Sequence, residues 1–254
     1  MDDFNFNGKG VIVTGGGSGL GFAVARSFME CGADVVIVGR RRDVLGQAVK
    51  ELKSKIQDSS GTIASVQADM SSAADVERLF KEAAELLPGL DVLVNGAGSW
   101  SLHPIPDLRD DEIDRLFQNN YKSVVLGTQA AARHLKTGGA VINFGSFAGQ
   151  MAMNNSSLYS SLKTAVASFT KSAASELAIN NIRVNCVIPG VIRTPMTSEY
   201  IDKNLKRIIA PIPMKRVGTE DEVASGVLFL ASDLASYITG ASLEITGGKY
   251  STQL

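Results

Sequence analysis

Val11-Ile12-Val13-Thr14-Gly15-Gly16-Gly17-Ser18-Gly19-Leu20-Gly21 is the stretch on which the fold turns. A short β-branched run opens it, glycine dominates its middle, and residues 20–31 follow with helical periodicity. Glycines let the backbone turn sharply and let an anion approach main-chain N–H groups. The helix N-terminus beyond adds orphan donors and the positive end of a dipole, which suits a pyrophosphate. A glycine run alone is a weak signal. A strand before it and a helix after it make the signal strong. The spacing here is T-G-x-x-x-G-x-G, one residue wider than the common G-x-G-x-x-G.

Working outward, further short apolar runs lie at 35–38, 62–67, 92–95, 140–144, 183–187 and 242–245. Each is rich in Val, Ile or Leu, as strands buried on both faces are. Between them, residues 42–56, 73–87, 113–135, 158–179 and 220–230 carry helical periodicity. The alternation predicts a single α/β domain over 1–254, a doubly wound parallel sheet of about seven strands with helices on both faces. No strand is evident from Pro189 to Gly218, where Pro195, Pro211 and Pro213 fall. Following a strand's C-terminal end, residues 190–217 are expected to form a substrate lid.

Composition narrows the function. The 254 residues are 44% hydrophobic and 20% charged, with 25 Lys and Arg against 26 Asp and Glu. The net charge of −1 lacks the basic excess of a nucleic-acid binder. Cys31 and Cys186 form no C-x-x-C pair, and His103 and His134 are the two histidines, so no metal site is expected. No apolar run approaches the ~18 residues of a membrane span, and the acidic start Met1-Asp2-Asp3 does not read as a secretory signal. A cytoplasmic location is expected.

Further motifs follow in order. Asn95-Gly96-Ala97-Gly98 ends the fourth strand, Asn120 falls within a helix, and Ser146 follows the fifth strand. Tyr159-Ser160-Ser161-Leu162-Lys163 begins thirteen residues after Ser146, and Pro189-Gly190 with Thr194 follows the sixth strand. With these motifs the chain resembles the short-chain dehydrogenase/reductase family over nearly its whole length. It departs at Gly96, where the family carries a second Asn. The resemblance implies a Rossmann-like fold and assigns Asn120, Ser146, Tyr159 and Lys163 to catalysis.

The residues support that chemistry independently. Tyr159 and Lys163 stand four apart on a predicted helix and share a face. A free tyrosine has a pKa of ~10, and a nearby ammonium favours its phenolate. A tyrosine so tuned gives a proton to a carbonyl oxygen or takes one from an alcohol. Ser146, beyond a strand end, is placed to donate to the substrate oxygen as charge develops. The resemblance adds two tasks: Lys163 holds the nicotinamide ribose, and Asn120 holds a water linking the lysine to solvent. Phe147, Met151, Met153 and Asn154 correspond to the pocket wall in relatives, and Ser99 and Trp100 are placed at the substrate mouth.

The cofactor reading centres on the second strand, which ends in Gly39-Arg40-Arg41-Arg42. An acidic residue for the adenosine ribose commonly stands ~20 residues beyond the glycines. Gly39 takes that place, and Asp34 sits at the strand's other end. No carboxylate there repels a 2′-phosphate, and the Arg40 fork suits one, so NADP(H) is expected over NAD(H). Arg41 is read as covering the adenine face. Ser18 stands where many NADP-dependent relatives place a basic residue. The resemblance adds contacts from Thr14, Gly15, Gly17, Ser18, Gly19, Leu20 and Gly21. It adds Asp69 and Met70 after the third strand and Asn95, Gly96, Ala97 and Gly98 after the fourth. Tyr159, Lys163, Pro189, Gly190, Ile192 and Thr194 complete the set. Asp69 has a plain alternative as a helix N-cap, which Ser71 or Ser72 equally supplies.

The expected reaction interconverts a ketone and a secondary alcohol, with reduction the physiological direction. A reductase of 3-oxoacyl thioesters and a ketoreductase of secondary metabolism are both candidates. The contrasting reading is a non-catalytic NADP(H) sensor or interaction protein, which Tyr159 and Lys163 speak against. Two helices rich in small residues imply, by resemblance, a homodimer or homotetramer.

Overall fold

The computed structural model of the chain describes residues 4–56 and 61–249. The acidic start at residues 1–3 lies outside them. Seven parallel strands form one sheet: β1 Gly10–Thr14, β2 Asp34–Gly39, β3 Ile63–Gln67, β4 Val92–Asn95, β5 Ala140–Phe144, β6 Arg183–Pro189 and β7 Ser242–Ile245. Their order is β3-β2-β1-β4-β5-β6-β7. The chain winds outward from β1 to β3 and then crosses back to lay β4 on β1's other side. Loops after β1 and β4 therefore part at the carboxyl edge, which opens a crevice there.

Helices cover both faces, as the apolar runs require. Along β1 the side chains of Val11 and Val13 join one core and that of Ile12 the other. The first core packs under α1 Gly19–Glu30, α2 Arg42–Lys55 and α8 Glu220–Ala231, with Phe28, Leu52 and Val227 fully buried. Opposite it lie α3 Ala73–Leu86 and α6 Ser157–Leu177, with Leu79 and Phe80 buried. Ser72 caps α3, accepting from the Asp75 N–H, so Asp69 is not needed for that role. Thr219 and Glu222 close a reciprocal capping box on α8. The buried Arg183 donates to the Ala231 and Ser232 carbonyls at 3.0 and 3.1 Å, satisfying the last acceptors of that helix.

Two regions differ from expectation. The helix expected at 113–135 starts at Asp110, where three acidic residues favour the first turn. It is α4 Asp110–Phe117, a π-turn Gln118–Lys122, and α5 Ser123–His134 in one unbroken rod. Segment 190–217 holds a helix, α7 Ser198–Ile209. A one-residue bridge of Ile192 with Gly218 ties its neck, with Arg193 N–H donating to Gly218 O at 3.0 Å.

Candidate active site

A cavity of about 670 Å³ occupies the crevice. The glycine loop forms one end. Gly15 adopts φ +71°, and its N–H donates to Val38 O at 2.8 Å, extending the β1–β2 ladder. A Cβ at Gly21 would collide with the Gly15 carbonyl oxygen, so the loop closes on the helix only without one. Ser18 leads into α1 without a side-chain cap, and the first turn carries no acidic residue. Ser18, Gly19 and Leu20 line the cavity with that electropositive end.

The ends of β2 and β3 form the next wall. Gly39, Arg40, Arg41, Asp69 and Met70 line it. Gln67 Nε2 donates to the Arg40 carbonyl at 2.9 Å, and the Arg40 guanidinium reaches Asn119 Oδ1 at 3.5 Å. Asp69 accepts from both the N–H and the hydroxyl of Ser71, at 2.9 and 2.8 Å. Asp34 lies at the opposite edge of the sheet, accepting from Thr62 N–H and Oγ1.

After β4, Gly96, Ala97 and Gly98 line the cavity but Asn95 does not. Asn95 turns into the protein, donating to Asn143 Oδ1 at 2.8 Å and Thr128 Oγ1 at 3.2 Å, and Asn143 donates in turn to Thr170. Thr14 is likewise buried behind the loop. Its hydroxyl donates to Val94 O and accepts from Ala97 N–H at 3.1 Å, which binds the ends of β1 and β4 together. Both residues shape the wall from behind. The structure also accounts for Gly96: a Cβ there would stand 2.8 Å or less from backbone, at 2.7 Å from Thr14 O.

The four catalytic candidates meet beyond this loop. Lys163 is buried on α6, and its Nζ donates to Phe144 O at 2.9 Å. That ammonium lies 5.8 Å from the Tyr159 ring centroid. Burial lowers Lys163 to about 8, with Cys186 pulling weakly the other way. Contrary to the lowering expected from the Lys163 ammonium, burial raises the Tyr159 phenol above its ordinary value, against the smaller effect of a hydrogen bond with Ser146. Ser146 Oγ also accepts from Ala148 N–H at 3.2 Å. The fully buried Asn120 donates to Ser99 O at 2.8 Å and Leu116 O at 3.1 Å, and accepts from Ser99 N–H at 3.2 Å. The π-turn is where side chains take helix carbonyls four residues back, Asn120 that of Leu116 and Ser123 that of Asn119. The Asn120 amide is thus fully engaged, and its oxygen keeps one lone pair.

Pro189, Gly190, Ile192 and Thr194 line the remaining side, together with Met196, Tyr200 and Ile201. Of the expected pocket wall, Phe147 and Met153 line the cavity, whereas Met151 and Asn154 do not. Ser99 and Trp100 line its mouth. His103 pairs with Glu112 at the surface, and His134 stacks beside Phe80. Sequence reading missed Asn119, Leu102 and Tyr200. Tyr200 was detectable as the aromatic residue within the expected lid.

A profile of the family described as Enoyl-(Acyl carrier protein) reductase matches residues 15–249. A 3α-hydroxysteroid dehydrogenase of Mediterraneibacter gnavus is 36% identical over 241 residues, covering 94% of this chain and 96% of the relative. The chain belongs to the short-chain dehydrogenase/reductase family. A 3-oxoacyl-acyl-carrier-protein reductase of Chlamydia pneumoniae is 34% identical over 97% of this family member and 98% of its own length. Among solved structures, a short-chain dehydrogenase/reductase of Brucella melitensis superposes with a TM-score of 0.91 at 33% identity, covering 97% and 98% of the two chains. One from Mycobacterium ulcerans reaches 0.93 at 30% identity, covering 96% and 90%. The chain is an oxidoreductase by family. No helix among the described residues is long and apolar enough to cross a membrane.

Proposed function

We propose that the protein interconverts a ketone and a secondary alcohol with NADP(H), working as a reductase. The observation that carries this reading is the pairing of Tyr159 with the buried Lys163 at one end of a cavity whose other end is the uncapped N-terminus of α1. A nicotinamide dinucleotide fits the residues present. Gly15 and Gly21 keep side chains out of the loop beside α1, and a Cβ on Gly98 would stand 2.9 Å from Asn120 Oδ1. Gly39 leaves the end of β2 without a carboxylate, and Arg40 offers the 2′-phosphate a planar fork. When bound, the dinucleotide supplies the hydride that joins the carbonyl carbon.

The chain's own residues handle the proton. Ser146 orients the carbonyl oxygen, and Tyr159 gives its phenolic proton to that oxygen as the alcohol forms. The phenol stays neutral at pH 7, which is the donating form, and Lys163 remains cationic beside it. Both groups are proton-loaded, the state a reduction consumes. The relatives' names speak of dehydrogenating a hydroxy compound and reducing an oxo compound, which agrees with this reaction. Segment 190–217 acts as the lid, the protein works in the cytoplasm, and the small-residue faces of α5 and α6 pair copies into a homodimer or homotetramer. The test is NADPH and NADH oxidation by the purified protein against a ketone panel that includes 3-oxoacyl thioesters. A preference for NADH, or no turnover with any ketone, would overturn the reading.

Lys163 yields a separable prediction. Burying an ammonium costs stability, so Lys163→Met is expected to lower kcat about a hundredfold or more while raising Tm by about 2–4 °C at pH 7. The sign follows from the lowered folded-state value. Below about 8 the ammonium is charged in both states, and the penalty is fully present. As pH rises from about 8 toward the unfolded value of 10.5, the folded chain sheds its proton first and the penalty fades. The Tm advantage of the variant should therefore shrink over that window. Thermal melts at pH 7 and above 9.5 measure it, and a lower Tm for Lys163→Met at pH 7 would contradict the account.

A further inference from the structure

Glu220, the first residue of α8, sets a carboxylate against the glycine loop. Its Oε1 lies 3.8 Å from where a Cβ on Gly19 would stand, and Gly19 both opens α1 and lines the cavity. Glu220 itself is not among the lining residues. That oxygen is buried and accepts no hydrogen bond among the described residues. Its charged neighbours are engaged elsewhere. Arg26 on α1 pairs with Asp221 and with Glu30, and its Nε is likewise buried without a hydrogen bond. Glu222 on α8 is taken by Arg216 and by the Thr219 N–H. Burial, with Asp221 adding to it, raises the Glu220 carboxyl above its ordinary value, and Arg26 pulls it back less. An unsatisfied buried oxygen costs stability, so this one asks for a role.

We infer that Glu220 is a proton-linked member of the dinucleotide site, ionised in the free protein at neutral pH and protonated when a pyrophosphate occupies the end of α1. The inference rests on the dinucleotide part of the reading above and on none of its catalytic steps. Ser18 offers α1 no side-chain cap and the first turn holds no acid, so Glu220 brings a carboxylate to that positive end from another helix. A bound pyrophosphate puts further negative charge at the same end. Like charges crowded together do not all stay ionised, and a diphosphate keeps its charge at neutral pH, so the carboxyl takes the proton. Glu220 gains one proton from solvent as the coenzyme binds and returns it on release. The direction of the pH effect follows from this. Affinity is highest where the free protein already holds the proton, and it falls as pH rises until neither state holds it. Glu220 thereby tempers coenzyme affinity, while Tyr159 and Ser146 remain the groups at the reacting atoms.

Calorimetric titration with NADP+ from pH 5 to 8, in two buffers of different ionisation enthalpy, reads both affinity and proton uptake. The 2′-phosphate of the coenzyme titrates near a pH of about 6 as well. It contributes alike to native protein and to Glu220→Gln, so the difference between them belongs to residue 220. At pH 7.5 Glu220→Gln should bind NADP+ about tenfold tighter than the native protein, and the gap should close to about twofold or less by pH 5. Native protein should also take up more proton at pH 7 than the variant does. A gain in affinity cannot come from a misfolded variant. Asp221→Asn removes the same charge from a neighbour whose side chain is 66% exposed, and should change affinity less than about threefold. Equal affinity of native protein and Glu220→Gln at pH 7.5, or a gain matched by Asp221→Asn, would overturn the inference and leave the dinucleotide reading standing. No NADP+ binding by either protein at any pH would overturn that reading and the inference with it.

Discussion

Tyr159→Phe should reduce kcat about a thousandfold while leaving the Kd for NADPH within about twofold. The substitution removes one oxygen and keeps the ring that lies 5.8 Å from the Lys163 ammonium. Wall and cradle therefore survive, and what is lost is the one group able to transfer a proton at the carbonyl oxygen. Ser146 cannot take over. An unactivated hydroxyl is too weak an acid to give up its proton at neutral pH. The remaining rate would come from orientation by the cavity alone. The same assay run against pH adds a second check. Reduction draws on the proton-loaded pair, so the reductive rate should fall as pH rises through about 8, where Lys163 discharges, and alcohol oxidation should gain. Turnover by Tyr159→Phe within tenfold of the native rate would mean that another group carries the proton.

Gly39→Asp should reverse coenzyme preference, weakening NADPH about a hundredfold and strengthening NADH. Position 39 closes β2, and Gly39 O accepts from Ala68 N–H at 3.0 Å, which fixes the backbone facing the cleft. The site accepts a side chain without strain. A Cβ there meets Leu45 Cδ2 at 3.5 Å, ordinary van der Waals contact. The introduced carboxylate would accept from two ribose hydroxyls and repel a 2′-phosphate at close range. Arg40→Ala should cost NADPH about tenfold and NADH little, because a charge-assisted contact is lost with no new repulsion. Kd values for both coenzymes at low and high salt measure this, and the Arg40 effect should shrink in salt. Unchanged NADPH affinity in both variants would place the 2′-phosphate elsewhere.

The strands were legible because a covered parallel sheet favours short apolar runs bounded by turns, and each of the seven runs read as a strand formed one, although the edge strands β3 and β7 are only partly buried. Glycine positions were legible for a related reason, since backbone approach at Gly15 and Gly21 admits nothing else. Tyr159 and Lys163 could be paired by helical spacing alone, but their meeting with Ser146 and Asn120 depends on strand order, which pattern does not carry. Asn95 illustrates the limit. In a four-residue strand buried throughout, composition does not say which end of the side chain's arc meets the cleft, and the Asn143–Thr170 network drew it inward. The wall from α7 was hidden because prolines at 195, 211 and 213 bracket the helix and mask its periodicity. Nor does any propensity announce the π-turn, in which Asn120 and Ser123 each take a carbonyl four residues earlier.

That turn makes the rod from 110 to 134 two helices of different phase. Beyond Lys122 every side chain is rotated by roughly one residue's angle relative to an uninterrupted α-helix. This rotation brings Gly127, the position with no side chain, against the Asn95 amide, and directs Thr128 to the same amide. Healing the turn at full length would swing α5 so that Leu126 or Thr128 faced Asn95 at Gly127's place, whereas removing one residue within 118–122 together with the turn would return Gly127 to it. The segment thus absorbs one surplus residue, and its length and its winding are set together.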